Sequence, residues 1–302
     1  MDGILIIDKP PGITSHDVVA RVRRVLKTKR VGHTGTLDPF ATGVMVVVVG
    51  KATPLAQFLD KDEKEYVADV QFGWETDSGD LSGTRSAECG MRNEEVAEAL
   101  RSIEWEDVLA DFRGSIKQMP PMYSAKKREG KKLYELARKG IEVEREAVDV
   151  TLSELEVLDE EQSRTSHSAV RVRVVCSAGT YIRTLAEDIG RSTGLLAHLT
   201  TLRRTRAGKF GIDQAVTLEA LAEHPSPQGL LLPMEEAVSH LPIFELQEDR
   251  VDKTRSGMST RDLSERFADG ESVAMFSPDG ELVAVGRYRS REKAVQPKVV
   301  LG

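Results

Sequence analysis

The chain has 302 residues, 40% of them hydrophobic, which is enough for a sizeable core, excludes a disordered chain and suits one large domain with a small one. Cys89 and Cys176 lie far apart with no CxxC pairing, so neither a disulfide framework nor a zinc site is signalled. With no basic and apolar leader and no apolar run of membrane-spanning length, a soluble cytoplasmic protein is expected.

The net charge of -7 argues against a nucleic-acid partner, but its distribution argues the other way. Residues 112–139 carry 9 basic and 2 acidic side chains, as do residues 162–211, while residues 60–111 carry 5 and 16, so a basic face can exist on an acidic protein. The basic blocks "RVRRVLKTKR", "KKREGKKLYELARK" and "RRTRAGK" are each compatible with a solvated face, and together they favour a polyanion.

In chain order, "GILIID" reads as a buried strand ended by "KPPG". Thr14 or Ser15 can cap a helix whose Val18, Val22, Val25 and Leu26 recur at helical spacing. The loop "GHTGTLDPFATG" follows, with the single carboxylate Asp38, ahead of the strand "VMVVVV". "KEYVADVQFG" alternates as a strand, "WETDSGDLSG" reads as a loop, and Asn93 can cap the helix "EEVAEALRSI". "IKQMPPMYSA" is held extended by its prolines, and "KKLYELARKG" predicts a short basic helix closed by Gly140. "VDVTLSELEVL", "AVRVRVVCS" and "HLTTLRRTRAGKF" predict strands, "GTYIRTLAEDIG" a helix entered at Gly179, and "TLEALAEH" a helix capped by Thr217. After the loop-like "HPSPQG", the run "SVAMFSPDGELVAVGRY" predicts a hairpin inside a small β-rich module at 241–302. Strands that are not regularly interleaved with helices imply an α+β protein with a mixed, mainly antiparallel sheet.

A glycine-rich loop beside a strand raises the question of a phosphate cradle. "GVMVVVVGKA" has the wrong spacing for a P-loop and Ala52 where the magnesium-binding hydroxyl belongs, and "GHTGTLDPFATG" lacks the GxGxxG spacing of a dinucleotide site. His16 and His33 have no second ligand at helical spacing, so neither metal nor cofactor is called for. An isolated Asp-Pro in a loop is, on its own, better explained by turn capping than by catalysis.

Six motifs then agree in identity and order. "ILIIDKPPGITS", "GHTGTLDPFATG", "KEYVADVQFGWETDSGD", "PPMYSAKKREGKKLYELARKG", "CSAGTYIRTLAEDIG" and "LTTLRRTRAGKF" closely resemble the TruB-type tRNA pseudouridine synthases over residues 3 to 240. The resemblance implies the pseudouridine synthase fold, with a catalytic domain at 1–240, an RNA-clamping insertion at about 120–150 and a PUA-like domain at 241–302. It implies isomerisation of uridine to pseudouridine at position 55 in the T loop of tRNA, without cofactor or metal, by a monomer that needs no obligate protein partner and no membrane.

It also implies roles for particular residues. Asp38 is the catalytic aspartate, Arg183 the arginine that pairs with it, and Tyr66 the residue that stacks on the flipped uracil and helps remove its C5 proton. His33 is the wedge that holds the vacated space, since a base inside a folded loop must be extruded to be reached. Tyr181 and Leu202 line the uracil pocket, Lys9 and Pro10 support that substrate site as scaffold, and Lys126, Lys127, Arg128, Lys131 and Lys132 contact phosphates. Two other readings stand beside this one: a catalytic subunit dependent on a guide RNA and accessory proteins, and a tRNA-binding or folding protein in which catalysis is secondary.

Overall fold

The computed structural model describes residues 1–124, 126–128, 131–137, 140–141, 143–158, 168–264 and 266–301. β1 (Gly3–Lys9) leads into α1 (Ser15–Val25), the short β2 (Val31–His33) and β3 (Thr42–Val49). The one-turn helix α2 (Ala56–Leu59) precedes β4 (Lys64–Phe72), which continues into the hairpin β5 (Trp74–Thr76) and β6 (Arg85–Glu88). Helices α3 (Asn93–Arg101) and α4 (Trp105–Ala110) come before β7 (Gly114–Gln118). A small hairpin, β8 (Lys127–Arg128) and β9 (Lys131–Lys132), then leads to α5 (Leu133–Ala137). The rest of the first unit is β10 (Val148–Val157), β11 (Ala169–Cys176), α6 (Ile182–Ser192), β12 (Ala197–Ala207), β13 (Phe210–Gly211), β14 (Val216–Thr217) and α7 (Leu218–Glu223).

These strands form a ten-stranded sheet in the order β14-β1-β3-β12-β4-β11-β10-β7, with β2 added to β3 and β13 to β12. Pairing is antiparallel except for β1 with β14 and β3 with β12, so the sheet is mixed and mainly antiparallel, as the sequence implies. The unbroken apolar run in β3 follows from burial on both faces. Met45, Val47 and Val49 face the side chains of α1 and α7, while Val44, Val46 and Val48 face the opposite way. There they share one apolar cluster with Ala274, Leu282 and Val285 of a second, five-stranded sheet and with Leu301 just after it.

That second sheet is made of β15 (Ile243–Glu245), β16 (Thr260–Arg261), β17 (Ser272–Phe276), β18 (Leu282–Arg289) and β19 (Ala294–Val300), in the order β15-β17-β18-β19-β16, with helix α8 (Glu248–Arg255) beside it. The hairpin read from "SPDG" is the β17–β18 pair.

Thr14, rather than Ser15, caps α1: its side chain accepts from the Asp17 N–H and Asp17 accepts from the Thr14 N–H, a reciprocal box. Thr217 caps α7 as expected, accepting from the Ala220 N–H at 3.1 Å. Asn93 does not cap α3. It is the first helical residue, Arg92 occupies the cap position, and Glu95 three residues on accepts the Arg92 N–H at 2.8 Å. "WETDSGDLSG" is not wholly loop either, since Trp74–Thr76 pairs with Arg85–Glu88. The basic helix is shorter than its sequence suggests, because Lys131 and Lys132 pair with Arg128 and Lys127 instead. Burial pushes the Cys176 thiol up to about 11, which makes it an inert core residue, and Cys89 is also unpaired. No helix among the described residues is long and apolar enough to cross a membrane.

Candidate active site

The loop carrying Asp38 connects β2 to β3 and is pinned on both sides of the carboxylate. On one side Ser15, at the start of α1, donates its hydroxyl to the Leu37 carbonyl at 3.1 Å and accepts the Leu37 N–H at 2.9 Å. On the other side Lys9, fully buried at the end of β1, donates to the carbonyls of Pro39 at 3.1 Å and Ala41 at 2.6 Å, and to its neighbour Pro10 at 3.0 Å. Three acceptors use all three N–H donors of an ammonium, so Lys9 is held charged although burial lowers it to about 8. Buried and directed into main chain, Lys9 supports the loop as expected of a scaffold residue, and it does not line the cavity described below.

Leu37 and Ala41, buried at 3% and 0% exposure, anchor the loop in the core, and Asp38 between them keeps about a third of its side chain exposed. Arg183 reaches it from the first turn of α6. The guanidinium meets the carboxylate in a fork, Nε to Oδ2 at 2.9 Å and Nη2 to Oδ1 at 3.2 Å. Its remaining donors go to main chain, Nη1 to the Ser78 carbonyl at 2.8 Å and Nη2 to the Tyr123 carbonyl at 2.7 Å. Arg183 therefore ties three separate loops to one point.

Burial raises the Asp38 carboxyl above its ordinary value, the Arg183 guanidinium opposes this, and the second carboxylate Asp80 adds to the rise. Asp80 is buried, 3.9 Å from Arg183 Nε, and is satisfied by the hydroxyls of Ser78 and Ser82 and the Ser82 N–H. The result is one buried cation between two carboxylates, of which only Asp38 opens to the cavity.

That cavity has a volume of about 310 Å³. Asp38 and Arg183 stand at its wall together with Tyr66, Tyr181, Leu202 and Arg204, so the structure brings together five of the residues singled out in the sequence. Tyr66 on β4 is 9% exposed, and burial raises its phenol above the usual value, against the pull of the neighbouring Arg204. It stays protonated near neutrality. Tyr181 precedes α6 and is fixed by Gln118, whose side chain accepts the Tyr181 N–H at 2.7 Å and donates to its carbonyl at 3.0 Å.

His33 ends β2, next to Thr34 and Gly35 of the cavity wall, but is not itself in that wall. Its ring meets His16 edge-on at 5.9 Å, its Nδ1 accepts the Gly35 N–H at 3.3 Å, and burial lowers its pKa, so it is a neutral imidazole. Lys126 is exposed beyond the cavity. Lys127, Arg128, Lys131 and Lys132 form the β8–β9 hairpin by their backbones, and their side chains lie outside the described residues.

A carboxylate held by a forked arginine, inside a cavity walled by two tyrosines and a leucine, can attack an electrophilic carbon of a planar ring substrate and later depart. The sequence motifs that fill this wall match two adjoining family models: TruB family pseudouridylate synthase, N-terminal domain, over residues 23–182, and tRNA pseudouridylate synthase B C-terminal domain, over residues 183–239. The chain belongs to the TruB pseudouridylate synthase family.

Its similarity to TruB family members runs end to end. It is 42% identical to the tRNA pseudouridine synthase B of Heliobacterium modesticaldum, across 99% of this chain and 95% of that protein. It is 36% identical to that of Bacillus pumilus across 100% and 98%. Among solved structures, the Cbf5-Nop10-Gar1 complex matches with a TM-score of 0.73 and 29% identity over 99% of this chain and 85% of the matched one.

Two site residues escaped the sequence reading. Asp80 stands in the quoted "TDSGD", and Arg204 in "TLRR", where it donates to the Val44 carbonyl at 2.6 Å and lines the cavity. Each lay inside a recognised motif, but no spacing in one chain says that residues 80 and 183, or 66 and 204, meet.

Proposed function

We propose that the chain isomerises uridine to pseudouridine in tRNA, at position 55 of the T loop, with Asp38 as the reacting group. The observation that carries this reading is the Asp38–Arg183 fork opening onto a cavity of the size and wall chemistry that suit one extruded pyrimidine. In this reading Asp38 attacks the nucleoside, the N1–C1′ bond breaks, and the uracil turns and bonds to C1′ through C5. The C5 proton passes to water with Tyr66 assisting, N1 takes up a proton, and the carboxylate is released, so one acid serves both half reactions. Tyr66 supplies a stacking face for the base, and Tyr181 and Leu202 complete the slot. A neutral His33 at the rim fits the wedge that fills the space the base leaves. Lys126 and the β8–β9 hairpin, within the insertion at about 120–150, offer phosphate contacts that position the RNA without reading its sequence. The chain divides into a catalytic unit, 1–240, and a PUA-like unit, 241–302, which would meet the acceptor arm only through local contacts, given its 10 basic and 11 acidic side chains. The stand-alone cytoplasmic form is favoured over a guide-dependent subunit because identity to the tRNA enzymes holds at 42% across nearly the whole of both chains.

The test is tritium release from tRNA labelled at uracil C5, with purified protein and no other component. Release that maps to the T-loop uridine and disappears in Asp38→Asn, while the tRNA dissociation constant stays within about threefold, is the expected result. Loss of binding in step with loss of activity would overturn the assignment of Asp38. No release by the wild-type chain, with tight binding kept, would favour the guide-dependent or RNA-folding readings.

A further inference from the structure

Several polar side chains in the cavity wall are committed to the protein. Lys64 donates to the carbonyls of Asp60 and Asp62, Thr180 donates to the Ser177 carbonyl, and Ser177 accepts the Thr151 N–H. Arg204 donates to the carbonyls of Val44 and Gly35, and Arg183 to Asp38, Ser78 and Tyr123. Ser124 is different. It is 5% exposed, it lines the cavity, and its Oγ is buried with no partner among the described residues. The other two buried polar atoms of this kind, in His198 and Asp262, are not in the cavity wall.

A buried hydroxyl without a partner has lost its hydrogen bonds to water with nothing in exchange, so such a group needs an explanation. Its position is not accidental slack in a loop, because the adjacent Tyr123 carbonyl is held by Arg183 at 2.7 Å. The arginine that orients Asp38 thus also fixes the residue next to Ser124. The same cation thus holds the reacting carboxylate and the segment that carries Ser124.

We infer that the Ser124 hydroxyl donates a hydrogen bond to a carbonyl oxygen of the extruded uracil and helps hold that base through its turn. The inference rests on the pseudouridine synthase reading of the cavity. Turning a detached uracil about its N3–C6 axis exchanges N1 with C5 and, at the same time, O2 with O4. A fixed donor aimed at one carbonyl position therefore meets a carbonyl before the turn and another after it. A hydroxyl is suited to this, since it rotates to follow small shifts of the ring and carries no charge that would compete with Arg183 for Asp38.

The experiment compares wild type, Ser124→Ala and Ser124→Thr in the full chain on full-length tRNA transcripts whose target is uridine or 4-thiouridine, under single-turnover conditions with tRNA affinity and melting temperature measured alongside. The wild-type reaction on uridine tests the functional reading by itself. If that reaction proceeds, Ser124→Ala is expected to lower the rate about tenfold, with tRNA affinity and melting temperature unchanged and the rate restored by Ser124→Thr. The thio substitution, which weakens the acceptor, is expected to slow the wild type and to change Ser124→Ala by less than twofold. A Ser124→Ala rate within twofold of wild type on uridine, or thio effects equal in both proteins, overturns the inference while leaving the pseudouridine synthase reading in place.

Discussion

Removing the guanidinium with Arg183→Met tests what keeps the catalytic carboxylate ionised. Asp38 already sits above its ordinary pKa because of burial, and Arg183 is the strongest opposing influence. Taking away one member of a buried pair costs about 3–5 kcal/mol, since the survivor is left as an unpaired charge. If most of that appears as a preference for the neutral acid, the Asp38 pKa climbs further above its ordinary value. The ionised form is the reactive one, and it is lost as pH falls through the folded pKa, so a raised value moves the acid limb of the rate profile upward.

The expected result at pH 7 is a loss of about 10²–10³-fold in the single-turnover rate, with partial recovery as pH is raised toward 9.5 and no matching recovery in the wild type. The assay is tritium release from C5-labelled tRNA between pH 6 and 9.5, with tRNA affinity measured at each pH. Arg183→Lys restores a charge but not the fork to Asp38 or the bonds to Ser78 and Tyr123, and belongs between the two. An Arg183→Met loss of equal size at every pH would refute the reasoning. The arginine would then act by holding the Ser78 and Tyr123 loops, not by setting the charge on Asp38.

Lys9→Met removes the ammonium and leaves three carbonyls, those of Pro10, Pro39 and Ala41, without their donor. A stability loss of about 2–4 kcal/mol in urea unfolding is expected, together with a fall in rate and near-normal tRNA affinity. Gly43→Ala puts a side chain at φ +99°, with its Cβ 2.1 Å from the Arg204 carbonyl oxygen, where β3 passes β12 in parallel. No side-chain rotation relieves a clash with backbone, so a loss of about 3 kcal/mol or more is expected, read as a lower melting temperature.

The fold was legible where a pattern had one physical solution. The run "VMVVVV" had to be a strand buried on both faces, and "SPDG" between alternating runs had to be a hairpin. Element ends were less legible: Asn93 lost the cap position to Arg92 because the carboxylate of Glu95 can close the box on any backbone N–H placed there. The site divided in the same way. Asp38 stood out as one acid in a loop of glycines and threonines, and resemblance supplied Arg183 as its partner, yet the reason one chain can hold that pair is spread over residues with no signal of their own. Ser15 and Lys9 fix the loop, Asp80 balances the arginine from behind, and Gln118 clamps Tyr181. Each of these acts across 22 residues or more of sequence, a distance at which periodicity carries no information. Two of them, Asp80 and Lys9, also act on the charge state of Asp38, which is why a motif can name the reacting atom while only the packed structure explains why it is reactive.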